Sequence, residues 1–134
     1  MVKLIVGLKG TGKTKMLIDM VNKATAESKG SVICIERGSK LNFDITHKAR
    51  LIDTDAYMVK DGQALYGFIA GITASNHDIT DVFVDSALKI CGDEMPAFEA
   101  FVKTIDKLAD GKFNCIMTVS AAVEDCKAAL GDYI

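Results

Sequence analysis

The sequence has no tryptophan, a single proline, and four cysteines, Cys34, Cys91, Cys115 and Cys126, none of which forms a C-x-x-C pair. Without close cysteine spacing there is no zinc-finger or dithiol redox motif. Cys34 and Cys115 lie inside apolar runs, where a free thiol acts as a small buried hydrophobe. Gly, Asp or Lys breaks the longest apolar runs within a few residues, far short of the roughly 20 that a membrane-spanning helix needs. Met1 to Val6 carries no charged segment followed by a long apolar stretch, so no secretory signal is expected and the reading is of a soluble, cytoplasmic protein. Charge of either sign is not in excess: 16 basic against 18 acidic residues give a net charge of -2. That balance offers no general attraction to nucleic acid or to an anionic membrane. What the chain does have is length for one domain, 134 residues of which 49% are hydrophobic, enough to fill one core. The expectation is a single domain over residues 1–134.

Short apolar runs alternate with helical patterns. Lys3 to Val6 reads as a buried strand, and Met16, Leu17, Met20, Val21 and Ala24 then recur at helical spacing up to Gly30. Ser31 to Glu36 is a second strand. Leu41, Phe43 and Ile45 alternate with polar residues, and Leu51 and Ile52 lead to Asp53, which leaves either a hairpin or a crossed-over sheet edge for this section. Asp61 to Ser75 predicts a helix weakened by Gly62, Gly67 and Gly71. Val82 to Val84 forms a strand ending at Asp85, and a helix starts near Pro96 and closes at Gly111. Asn114 to Val119 is the last strand, and Ser120 can cap a final helix carrying Val123, Cys126 and Leu130. Strands apolar on both faces, alternating with helices, define an α/β fold with a mainly parallel sheet of about five strands and helices on both faces.

Between the first strand and the first helix stands Gly7-Leu-Lys-Gly-Thr-Gly12-Lys13-Thr14, which matches G-x-x-x-x-G-K-[ST]. Glycines at Gly7, Gly10 and Gly12 let the backbone curl so that successive N–H groups face a phosphate, and the helix dipole adds to the attraction. A lysine at Lys13 reaches β- and γ-phosphates. A hydroxyl at Thr14 is an oxygen ligand of the kind Mg²⁺ prefers.

These residues resemble the P-loop NTPase superfamily, and the order of elements is similar along the whole chain. The resemblance implies an ATP cofactor held by Gly7, Lys9, Gly10, Thr11, Gly12, Lys13, Thr14 and Lys15, with Mg²⁺ on Thr14 and on Asp85 as the Walker B aspartate. Other features narrow the branch. A guanine-reading N-K-x-D is absent, and so is the signature lysine of partition ATPases, whose place Leu8 takes. The chain has no L-S-G-G-Q segment, and two arginines, Arg37 and Arg50, do not make an arginine-rich lid. What remains is similar to the core of RecA-like or thymidine-kinase-like ATP-binding domains, and to short bacterial proteins loosely named after twitching-motility ATPases. Those families commonly place a glutamate directly after the Walker B aspartate, where this chain has Ser86.

Candidate catalytic groups are therefore Lys13 and Asp85, with Glu36, Asp53 and Asp55 as carboxylates at or just beyond strand ends. Ser120, ending the last strand, resembles a sensor of the γ-phosphate, with helix capping as its alternative role. The leading expectation is Mg²⁺-dependent ATP binding with slow hydrolysis or a nucleotide-controlled state. The alternatives are a small-molecule kinase with Asp53 or Asp55 as base, and an interaction module that keeps nucleotide as a structural cofactor. A homo-oligomer or another protein partner could complete the site.

Overall fold

The computed structural model describes residues 1–134. Its elements run β1 (Val2–Gly7), α1 (Lys13–Glu27), β2 (Ser31–Glu36), β3 (Arg50–Asp53), a 3₁₀ turn (Thr54–Tyr57) and α2 (Gly62–Ser75). There follow β4 (Ile79–Val84), the short α3 (Ala87–Ile90), α4 (Met95–Ala109), β5 (Asn114–Ser120), α5 (Val123–Leu130) and a closing 3₁₀ turn (Gly131–Tyr133). All five strands are parallel in the order β1-β5-β4-β2-β3, which is the expected α/β class.

The two faces are covered unequally. On one, α1 and the connection 37–49 close a cluster of nine buried residues, among them Leu17, Val21, Cys34 and Phe83. On the other, α2, α4 and α5 close a cluster of 25, including Leu65, Ile69, Phe98 and Phe101, so the main core lies there. Handedness accounts for this division. Parallel crossovers share one hand, so the chain moves along the sheet one way under α1 and returns the other way under α2 and α4.

The middle of the chain is a crossed-over edge, and the hairpin alternative is excluded: β3 runs parallel to β2, with Ile33 opposite Arg50 and Glu36 opposite Asp53. The alternation of Leu41, Phe43 and Ile45 is not a strand. Leu41 and Ile45 are joined by an Ile45 N–H to Leu41 C=O bond of 3.1 Å and are both buried, whereas Phe43 is fully exposed. Residues four apart share one side of a helical turn, which explains the burial pattern better than a two-residue period does. Ser120 does not cap the last helix either. The N-cap of α5 is Ala122, without a side-chain bond, and Ser120 is still in β5, opposite Gly7.

Two glycines carry opposite consequences. At Gly30 an added Cβ would collide with the backbone carbonyl of Asp78, whereas at Gly67, inside α2, it would meet open space. Gly67→Ala should therefore raise stability by about 0.5–1 kcal/mol through helix propensity, and Gly30→Ala should lower it. Urea midpoints of the two variants test this pair of opposite signs.

Candidate functional site

The loop between β1 and α1 is built to leave backbone N–H groups free. Gly10 and Gly12 both have φ of 83°, the left-handed region that glycine adopts without strain. Gly12 is the N-cap of α1 and has no side chain to satisfy the first turn, which contains no acidic residue. The first N–H to be bonded within this end of the helix is that of Met16, donated to the Gly12 carbonyl at 3.1 Å. A 15-residue helix with an uncapped N-terminus presents partial positive charge to an anion. The Leu8 carbonyl accepts from Thr11 Oγ1 at 2.7 Å and from Lys13 Nζ at 2.9 Å, which holds the Lys13 ammonium against the loop.

Asp85 follows β4 and lies two strands from β1, with β5 between them. It spans that distance through hydroxyls. Thr14 Oγ1 donates towards Asp85 Oδ1 and Oδ2 at 3.2 and 3.3 Å, and Thr118 Oγ1 donates to Asp85 Oδ1 at 2.7 Å. Thr118 in turn accepts the Ser86 N–H at 2.7 Å, and the Asp85 N–H donates to the Ile35 carbonyl at 2.8 Å. The carboxylate thus joins α1 and β5, and the backbone of the same residue ties them to β2. Ser86 adopts φ 58° and ψ 48°, a left-handed conformation uncommon outside glycine, and this turns the chain away so that the Asp85 side chain stays at the strand end.

The loop and Asp85 border a cleft of about 390 Å³ that contains Lys9, Lys13, Lys15, Lys40 and Lys89, with Asp85 and Asp93 as its acids. Gly10, Gly12, Thr14, Thr118 and Ser120 also line it. Gly7 stands behind, where an added Cβ would lie 2.8 Å from Thr11 Oγ1. Thr118, Lys40, Lys89 and Asp93 are not among the residues expected from the sequence. Thr118 has one signal there, a hydroxyl in an otherwise apolar strand. The lysines have none, since their approach depends on how the connections after β2 and β4 fold.

The other three carboxylates are engaged elsewhere. Glu36 is 3% exposed and accepts the Lys40 and Leu41 N–H groups, each at 3.1 Å, so it anchors the connection that carries Lys40. Asp53 Oδ1 accepts from Gly38 N at 2.7 Å and Asp55 N at 2.9 Å. Asp55 pairs with Arg37 at 3.5 Å, with both side chains about half exposed. Asp85 and Thr14 supply oxygen ligands that suit Mg²⁺, which is commonly bound through one or two protein oxygens together with phosphate and water. No group of three or more His, Cys, Asp or Glu side chains is gathered for a metal. The four thiols are free and buried, and burial pushes Cys34, Cys91 and Cys115 up to about 12, which keeps them as thiols. No helix is long and apolar enough to cross a membrane.

No family model and no curated protein matches the chain, so a functional assignment rests on the chain's own residues.

Burial pushes the Glu36 carboxyl above its ordinary 4.5; the Leu41 and Lys40 N–H groups oppose the rise, and the charges of Asp85 and Asp53 reinforce it. A folded value above the unfolded one means that the native chain binds this proton more tightly. The contribution of Glu36 to stability is thus greatest below pH 4.5 and falls as pH rises through the raised folded value. Urea midpoints measured from pH 4.5 to 7 should show the wild type losing ground to Glu36→Gln as pH rises. A wild-type advantage that grows with pH would contradict this.

Proposed function

We propose that the chain is a P-loop-type nucleoside triphosphate-binding domain, with ATP as the cofactor to test first and Mg²⁺ held between Thr14 and Asp85. The observation that carries this reading is the contact of the Thr14 hydroxyl with both Asp85 oxygens at 3.2 and 3.3 Å, at the mouth of a glycine loop whose helix has no cap of its own. A turn that merely joined a strand to a helix would not require a hydroxyl in the first helical turn to meet a carboxylate 71 residues away.

In this reading the free N–H groups from Gly10 to Thr14 bind phosphate oxygens, and Lys13 exchanges the Leu8 carbonyl for a phosphate oxygen. When bound, the metal would neutralise phosphate charge. Thr118 is a positioning residue: its hydroxyl fixes the rotamer of Asp85 and satisfies the Ser86 N–H. Ser120, opposite Gly7 at the end of β5, gives in this reading a hydroxyl contact to the terminal phosphate.

Slow turnover is expected from where the carboxylates are. A general base must come within hydrogen-bond reach of the attacking water. Glu36 and Asp53 hold backbone N–H groups, Asp55 faces Arg37, and Ser86 follows Asp85 in place of a glutamate, which leaves Asp93 as the one cleft carboxylate without a bonded partner. The domain is therefore read as a slow NTPase whose bound nucleotide sets a conformational state, working in the cytoplasm where ATP is supplied. Small-molecule kinase activity is the second reading, favoured by a cleft adjoining the first.

Thermal unfolding with ATP, ADP and GTP, with and without Mg²⁺, tests the site. A magnesium nucleotide at about 100 times its dissociation constant should add about 2.7 kcal/mol, and Lys13→Ala should abolish the shift. A folded, nucleotide-free protein that no nucleotide stabilises would refute the reading. Rapid ATP turnover by the isolated chain would refute its slow-switch part alone.

A further inference from the structure

A second cavity, of about 430 Å³, lies beside the first and is lined by Arg37, Asp55, Lys60, Lys89 and Asp93, with Val59 and Ile90 as its apolar residues. The two cavities share Lys89 and Asp93. Topology gives this place a meaning independent of its side chains. In the order β1-β5-β4-β2-β3, the chain leaves β4 towards β5 under α4, whereas it leaves the neighbouring β2 in the opposite direction, towards β3. Adjacent strands whose connections part in this way open a crevice at their carboxyl ends, where open α/β sheets bind ligands. Arg37 directly follows β2, and Lys89 lies in α3 just after β4, so the second cavity stands at that switch point.

Charge is distributed to match. Together the two cavities are lined by seven of the 16 basic side chains and three of the 18 acidic ones, which makes this edge cationic in a chain of net charge -2. The Arg37–Asp55 contact is the only side-chain ion pair in the chain, so Lys60 and Lys89 have no carboxylate partner. A guanidinium and two ammonium groups suit a phosphate dianion. Asp55 and Asp93 are carboxylates of the kind that accept from hydroxyl groups. No aromatic ring lines the cavity to stack on a nucleobase.

We infer that the crevice between β4 and β2 binds a hydroxylated phosphate monoester of sugar-phosphate size, next to the nucleotide. The position beside a nucleotide rests on the proposed function of the first cleft; the anion site itself does not. The phosphate lies towards Arg37, Lys60 and Lys89. Lys89 and Asp93 form the wall common to both ligands, so a molecule seated here adjoins the nucleotide.

Calorimetric titration with ribose 5-phosphate and with inorganic phosphate tests this in four proteins: wild type loaded with Mg²⁺ and ADP, Lys13→Ala, the double variant Arg37→Ala/Lys60→Ala, and the triple variant that combines all three substitutions. Both replaced side chains of the double variant are exposed, so its fold should persist, and circular dichroism checks that. The sugar phosphate should bind loaded wild type and Lys13→Ala alike, and more tightly than inorganic phosphate. It should bind the double variant at least about tenfold more weakly, the loss expected when charge-assisted bonds to a phosphate are removed, while ADP affinity stays unchanged. Equal affinity for both probes would overturn the sugar-phosphate assignment. Absence of binding, or binding lost in Lys13→Ala or on loading with nucleotide but retained in the double variant, would overturn the second site. If wild type binds no nucleotide, the proposed function of the first cleft fails, and comparing Lys13→Ala with and without Arg37→Ala/Lys60→Ala still decides the second.

Discussion

The glycine loop and the ends of β4 and β5 meet at the Asp85 carboxylate. Its strand is separated from that of the glycine loop by β5, so the two halves of the site meet only through groups that reach across. Thr14 and Thr118 do so with hydroxyl donors on the same carboxylate, and the backbone of Asp85 is tied to β2 through the Ile35 carbonyl. Any ligand that competes for the Asp85 carboxylate therefore acts on α1 and β5 together. That is a physical route from an occupied site to a changed conformation, without a hinge or a second domain.

The carboxylates at the strand ends show how one edge divides structural from chemical work. Glu36 is buried and bound by two N–H donors, which fixes the start of a connection without a helix of its own. This connection brings Lys40 to the cleft. Asp53 plays a similar part for the turn after β3. With these acids holding backbone, the cleft is left rich in lysine and poor in groups able to activate water. On the proposed reading, such a composition favours keeping a polyphosphate over cleaving it quickly.

The fold class was legible because the inner strands are mostly apolar runs, as strands buried on both faces must largely be. The glycine loop was legible because its residue types serve specific backbone and charge requirements. Three features were not. Leu41, Phe43 and Ile45 imitate a strand because helical and strand periods coincide over so short a stretch, and only packing on α1 separates them. The helix Ala87–Ile90 is one turn long, too short for any period. Thr118 is a hydroxyl in a buried strand, and its partner on the neighbouring strand could not be named before the strand order was known.

The most direct test of a metal position shared by Thr14 and Asp85 is a double-mutant cycle between Thr14→Val and Asp85→Asn, read as the gain in nucleotide affinity on adding Mg²⁺. If the two side chains form one magnesium-holding unit, each single substitution removes most of that gain and the double variant is little worse, a coupling of about 1–3 kcal/mol. Fully additive losses, or single variants that still respond to Mg²⁺ as the wild type does, would contradict the placing of the metal between these residues.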